Sequence, residues 1–151
     1  MSGGLWFEDA PLGLSYTTPA RTITEADLVA FSGLSGDYNA LHTDAEYMKA
    51  SPFGERIAHG ALILSIVTGL RARTGLFDGT IIAFAEIRSW RFRAPVFIGD
   101  TIHAENEVVE RHETSKPDRG IVVQRVAVRN QRGETVQEGE MVTLVKRKGA
   151  A

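Results

Sequence analysis

Cysteine is absent from the 151 residues, which excludes thiolate nucleophiles, disulfide frameworks and cysteine-ligated zinc or iron-sulfur centres. An excess of one charge is missing too. The chain carries 17 Lys and Arg against 19 Asp and Glu, a formal net charge of -2, so no electrostatic footprint for nucleic acid or an anionic membrane is present. No apolar run approaches the roughly 20 residues of a bilayer span. The opening residues MSGGLWFEDAPLG lack the basic stretch and apolar core of a secretory signal. These absences point to a soluble cytoplasmic protein with neither nucleic-acid nor membrane partners. No repeat, low-complexity tract or linker interrupts the chain, and its length suits one domain with its own core. A single domain over 1–151 is expected, with 1–8 and 147–151 as loosely ordered tails.

Two periods organise what is there. A helix is predicted from Thr24, which can cap it, to about Gly33, with Glu25 and Asp27 at the positive end of the dipole and Ala30 and Phe31 turned inward. Asp44 to Lys49 suits one more helical turn before Ser51-Pro52-Phe53-Gly54 breaks it. From Gly60 to about Arg73 the chain is apolar around nearly its whole circumference, the signature of a helix buried on all sides. After Gly79 the pattern changes to strand-like alternation over Thr80 to Arg93, Asp100 to His112, Gly120 to Asn130 and Glu134 to Lys146. Turn clusters at Ser115 to Asp118 and Asn130 to Gly133 suit antiparallel hairpins. With an early strand near Leu12 to Thr18, the prediction is α+β: about five antiparallel strands curled around one buried helix.

The most informative stretch is FSGLSGDYNALHTD, Phe31 to Asp44, followed by His59-Gly60. Asp37 and His42 are five positions apart, so a regular helix would turn them about 140° away from each other. They converge only if the segment is a loop, and Gly33, Gly36 and the Asp37-Tyr38-Asn39 run have that chemistry. A carboxylate and an imidazole on one wrapped loop form a candidate general acid/base pair. His103 and His112 fall on one predicted strand with opposite pleat parity and make poor metal partners. No metal is expected.

The runs FEDAPLG, TPARTITEADLVAFSGLSGDYNALHTDAEYMKASPFGERIAHG and FRAPVFIGDTI resemble the MaoC-type hydratases of the hotdog fold, the group that contains (R)-specific enoyl-CoA hydratases. The diagnostic segments are Ser35 to His42 and Phe53 to Gly60. One departure is Ala40, where many members have proline; it removes no functional group. The resemblance implies syn addition of water across a trans-2-enoyl thioester to give an (R)-3-hydroxyacyl thioester, and the reverse dehydration. Asp37 and His42 match the catalytic pair, with Asp37 orienting and deprotonating water and His42 its partner in proton transfer. Gly60, at the start of the buried helix, is the expected donor to the enolate oxygen. Ser65 matches a serine lining the family's site; its other reading is a bond to the carbonyl one turn back. Asn39 is expected to fix the turn, and His59 to cap or pack beneath the loop.

Arg88, Arg91, Arg93 and Lys116 are candidates for coenzyme A phosphate contacts, against the plainer reading of a solvated strand face and turn. No cofactor is implied, because coenzyme A or an acyl-carrier thioester belongs to the substrate. A homodimer, or a dimer of dimers, is the implied assembly. Two alternatives stay open: a hotdog acyl-CoA thioesterase, and a non-catalytic acyl-thioester-binding module.

Overall fold

In the computed structural model, which describes residues 3–149, a short 3-10 turn at Phe7–Asp9 leads into two brief strands, β1 (Ser15–Thr17) and β2 (Arg21–Thr22). Four helices follow: α1 (Glu25–Ser35), α2 (Ala40–Thr43), α3 (Ala45–Lys49) and α4 (Gly60–Ala72). Four long strands close the chain: β3 (Ile81–Phe92), β4 (Thr101–Glu113), β5 (Arg119–Arg129) and β6 (Thr135–Lys146). The sheet is antiparallel in the order β1-β4-β5-β6-β3, with β2 also paired to β4. This is the predicted α+β arrangement with six strands instead of about five, because the two-residue β2 is too short to show a period.

Helix α1 begins as predicted. The Thr24 hydroxyl accepts the Asp27 N–H while the Asp27 carboxylate accepts the Thr24 N–H, a reciprocal cap. It runs two residues past the expected stop at Gly33, to Ser35, because Gly36 adopts the left-handed conformation (φ 76°) that ends it. The inward face also differs from expectation: Leu28 and Ser32 are buried, Phe31 is half-buried and Ala30 is exposed. A helix lying on the rim buries only a narrow stripe.

Helix α4 is the core pillar. Leu62, Ile63, Ile66, Val67 and Leu70 are all nearly inaccessible, and burying each contributes about 1.5–3 kcal/mol as an upper estimate. Burial on all sides, however, is not what the structure shows. Ala61, Ser65, Thr68, Gly69 and Ala72 form an exposed strip, because the curled sheet covers only part of the circumference. The curl comes from register shifts in β3 at Ile81/Ala83, Phe84/Glu86 and Arg88/Arg91, with Ser89 at a positive φ of 50°; such bulges bend and twist a strand.

Of the two ends expected to be loose, residues 1–2 and 150–151 lie outside the described residues, while 4–8 and 147–148 make contacts with the body of the fold. Gly4 N–H and Leu5 N–H donate to Asp78 and Leu76 carbonyls. The Phe7 ring packs flat on Gly120, where a Cβ would lie 2.3 Å from it. Arg147 pairs with Glu8 and Glu113, and Lys148 with Asp9. Sequence alone could not show that acidic Glu8 and Asp9 sit opposite the basic terminus.

Candidate active site

Asp37 and His42 do converge, although the segment between them is only half loop. Asp37 to Asn39 is irregular, and His42 sits on the one-turn α2. The Asn39 side chain starts that turn by accepting the Leu41 N–H, as expected of a structural asparagine. Asp37 Oδ1 accepts the Asn39 N–H at 3.2 Å, and Ser35 Oγ accepts the Asp37 N–H at 3.1 Å. These local bonds aim Asp37 Oδ2 toward His42 Nε2, 3.8 Å away. That gap exceeds a direct hydrogen bond.

The tautomer of His42 follows from its other nitrogen. Nδ1 lies 2.7 Å from the Ile57 carbonyl, which can only accept, so Nδ1 carries the proton. Neutral His42 therefore presents an Nε2 lone pair toward Asp37. Ile57 is itself held by its N–H bond to the Leu41 carbonyl and its bridge to Phe97. The His42 side chain is 10% exposed and that of Asp37 51%.

His59 supports the pair from beneath. Its ring stacks on His42 with centroids 3.7 Å apart and meets Phe31 edge-on at 5.0 Å. Nε2 donates to the Asp37 carbonyl at 3.0 Å and lies 3.3 Å from Ser32 Oγ. Ser32 is a support that sequence reasoning missed; its place one turn before Gly36, on the inner face of α1, was the available signal. One ligand atom each from Asp37, His42 and His59 fall within 4.8 Å of one another. Stacked imidazoles, at 26° between planes, hold their lone pairs in nearly parallel planes, so this donor set is a poor fit to the tetrahedral convergence a metal requires.

His42 lines an open, largely apolar cleft of about 480 Å³ together with Phe53, Ile57, Gly60, Phe92 and Arg93. The first turn of α4 opens onto it. The N–H groups of that turn have no intrahelical acceptor, and His59 makes no side-chain cap there. Gln137 fixes the turn by donating to the Gly60 carbonyl while accepting from Trp90 Nε1. At Gly60 the Phe92 ring comes so close that a Cβ would lie 2.5 Å from it.

The other expected residues are scattered. Ser65 is exposed, donates to the Ala61 carbonyl, and lines a separate groove against α1; one chain does not bring it to the cleft. Arg93 is at the cleft but pairs with Glu138. Arg88 is engaged by Glu86 and Glu110, whose proximity holds its guanidinium above the ordinary range. Arg91 is exposed on β3. Lys116 lies on the β4–β5 hairpin, near the register pair Arg119–Lys146 and so at the end of the sheet away from Phe92 and the cleft. His103 and His112 each face a glutamate two residues away, Glu105 and Glu110.

A family model described as a MaoC like domain matches residues 9–131. The (R)-specific enoyl-CoA hydratase of Rhodospirillum rubrum is 33% identical over 144 residues, 95% of this chain and 94% of that protein. Protein MaoC of Klebsiella aerogenes is 42% identical over 97 residues, 64% of this chain, and the match spans 28% of that longer protein. A solved structure named as a monoamine oxidase regulatory protein from Archaeoglobus fulgius superposes with a TM-score of 0.91 at 38% identity, covering 97% of each chain. A Mycobacterium tuberculosis protein described as a double hotdog fold superposes with a TM-score of 0.85 at 21% identity, covering 99% of this chain and 46% of that one, a likeness of fold alone.

Proposed function

Since the chain belongs to the MaoC-like domain family, we propose that it is a hydratase adding water to a trans-2-enoyl thioester to give the (R)-3-hydroxyacyl thioester, and dehydrating that product in reverse. The observation that carries the reading is the Asp37 carboxylate 3.8 Å from His42 Nε2, the nitrogen left with a lone pair when the imidazole is neutral and Nδ1 donates to the Ile57 carbonyl. Both atoms are acceptors. A water between them donates one hydrogen to each, which turns an oxygen lone pair toward the substrate's β-carbon. As the new C–O bond forms, the pair takes one proton from the water and the C=C π electrons move to the thioester oxygen. When that enolate collapses, the pair returns one proton to the α-carbon. Acceptors on one side of the chain make the addition syn.

Developing charge on the thioester oxygen needs donors already in place. The first N–H groups of α4 supply them, and Gly60, on which the Phe92 ring rests, carries no side chain of its own to cover them. His42 and the start of α4 open onto the same cleft, which is why we assign Gly60 and not Ser65 to this task.

The same reading includes a second copy of the chain. β3 is an edge strand, paired only to β6 among the described residues, and it exposes Ile81, Phe84 and Ile87. A long apolar edge invites strand pairing, and an isologous β3–β3 contact closes it. The test is absorbance at the enoyl-thioester band with crotonyl-CoA, thiol detection in parallel and chiral analysis of the product. Loss of the chromophore without thiol release, giving the R product, supports the hydratase; thiol release overturns it in favour of a thioesterase.

A further inference from the structure

A second polar cluster lies at the far end of α4, and nothing in the reaction above uses it. Arg71 projects from the last turn into the space between α4, β5 and β6. Its Nη2 donates to Gln124 Oε1 and its Nη1 rests against Met141 Sδ, a weak acceptor. Tyr16 donates to the same Gln124 oxygen at 3.1 Å. Among the described residues no carboxylate comes within ion-pair distance of Arg71. Two buried donors, Arg71 Nε and Gln124 Nε2, have no acceptor among them, and Gln124 is only 2% exposed. A guanidinium stays charged, and burying it beside unsatisfied donors is costly for a fold that gains nothing by it.

Arg71 and Tyr16 border a cavity of about 370 Å³ whose other walls include Phe77, Ile81, Phe84 and Thr143; Gln124 lines a smaller adjoining cavity of about 20 Å³ that shares Arg71, Phe77, Ile81 and Thr143 with it. Asp78 stands at the mouth but is exposed, where water and salt screen its charge. Donors at the inner end of an apolar cavity suit a small anion on an apolar stem. The planar fork of arginine matches a carboxylate.

The topology connects this cavity to the chemistry. Phe92, at the end of β3, covers Gly60 at the start of α4, while Ile81 and Phe84, near the start of β3, share the cavity with Arg71 at the end of α4. Strand and helix therefore run in opposite directions, with the catalytic cleft at one end and the Arg71 cavity at the other. Two β3 strands related by a two-fold axis pair antiparallel. The pairing sets the Arg71 end of one copy beside the cleft end of the other.

We propose that Arg71, Gln124 and Tyr16 form a carboxylate-binding pocket, and that the enoyl group hydrated at the second copy's cleft ends in a carboxylate that this pocket holds. The substrate half of the proposal rests on the hydratase reading above. The test compares glutaconyl-CoA with trans-2-pentenoyl-CoA, and the next longer pair of the same kind, on the wild type, Arg71→Met and Arg71→Lys. In the wild type kcat/KM favours the carboxylated member of a pair. In Arg71→Met that preference falls about 10–100-fold, the range of a charge-assisted hydrogen bond, and Arg71→Lys keeps part of it. A wild type without the preference, or equal losses on both members, overturns the proposal; equal losses are the result for an arginine that holds a coenzyme phosphate or only packs. Melting temperature with added glutarate, against its uncharged diamide, reads the pocket without turnover. If no thioester reacts, the hydratase reading fails. Glutarate that then still raises the melting temperature of the wild type and not of Arg71→Met supports the pocket, and no rise in either overturns it.

Discussion

Replacing Asp37 with asparagine separates catalysis from folding. The amide oxygen can take the Oδ1 position and keep the Asn39 N–H bond that shapes the turn. The amide nitrogen then faces His42 Nε2, 3.8 Å away, and offers N–H groups where the carboxylate offered a lone pair. A water between them loses one acceptor and meets a donor that competes for the other. Removing a general acid or base costs about 10²–10⁴-fold, so kcat for hydration of crotonyl-CoA falls at least about 100-fold. Stability barely moves. With the Asp37 side chain 51% exposed, its interaction with His42 is worth at most about 1 kcal/mol in either direction, equivalent to about 2–4 °C or less in Tm for a chain of this size. Stopped-flow absorbance gives kcat and calorimetry gives Tm. The double variant with His42→Ala should lose less than the sum of the single losses, since the two groups act on one water. A kcat within about tenfold of wild type in Asp37→Asn would refute the assignment.

Gly60→Val pushes against the Phe92 ring, 2.5 Å from the new Cβ. Phe92 is exposed and can swing aside, so overpacking costs about 1–3 kcal/mol at most; the valine keeps the backbone N–H but its side chain holds the thioester oxygen off it, so turnover drops by up to about 10²–10³-fold, the worth of one oxyanion hydrogen bond; proportionate losses in thermal stability and rate would mark Gly60 as a packing residue only. Ile87→Lys places a charge on β3 at the sheet edge and should halve the mass seen by light scattering; a wild-type mass would remove β3 from the interface. For Asp100, burial alone would raise the carboxyl, but the Phe97 N–H, Gln131 and Arg132 outweigh it and hold it below the usual carboxylate range. A depressed folded-state value means this contribution to stability is present above about pH 4, the ordinary aspartate value, and is lost as pH falls through the lower one. Asp100→Asn should therefore lower Tm at pH 7 and flatten its decline below about pH 4; parallel Tm–pH curves would contradict this.

Several elements were legible before any coordinates because their causes are local. The Thr24 cap, the four long strands and the two hairpin turns rest on neighbouring residues and a period of two. The pairing of Asp37 with His42 was also readable, because turn chemistry at 36–39 must bend the chain. The exposed strip of α4 was not, since composition around a helix says nothing about how far a curled sheet reaches. Neither were the pinned ends, which depend on charges of residues 8 and 147 that only the fold brings together.

By itself the sequence determined the class of the fold, the boundaries of the four long strands to within one residue, and the approach of Asp37 to His42, all set by short-range sterics and hydrophobic period. Only the tertiary structure decided the rest. It fixed the His42 tautomer through the Ile57 carbonyl, stacked His59 beneath the pair, moved Ser65 away from the cleft, and left Arg71 and Gln124 with buried donors at the end of the helix opposite Gly60. Each of these depends on contacts between residues far apart in the chain, whose geometry is set when the core closes and is not written in any one segment.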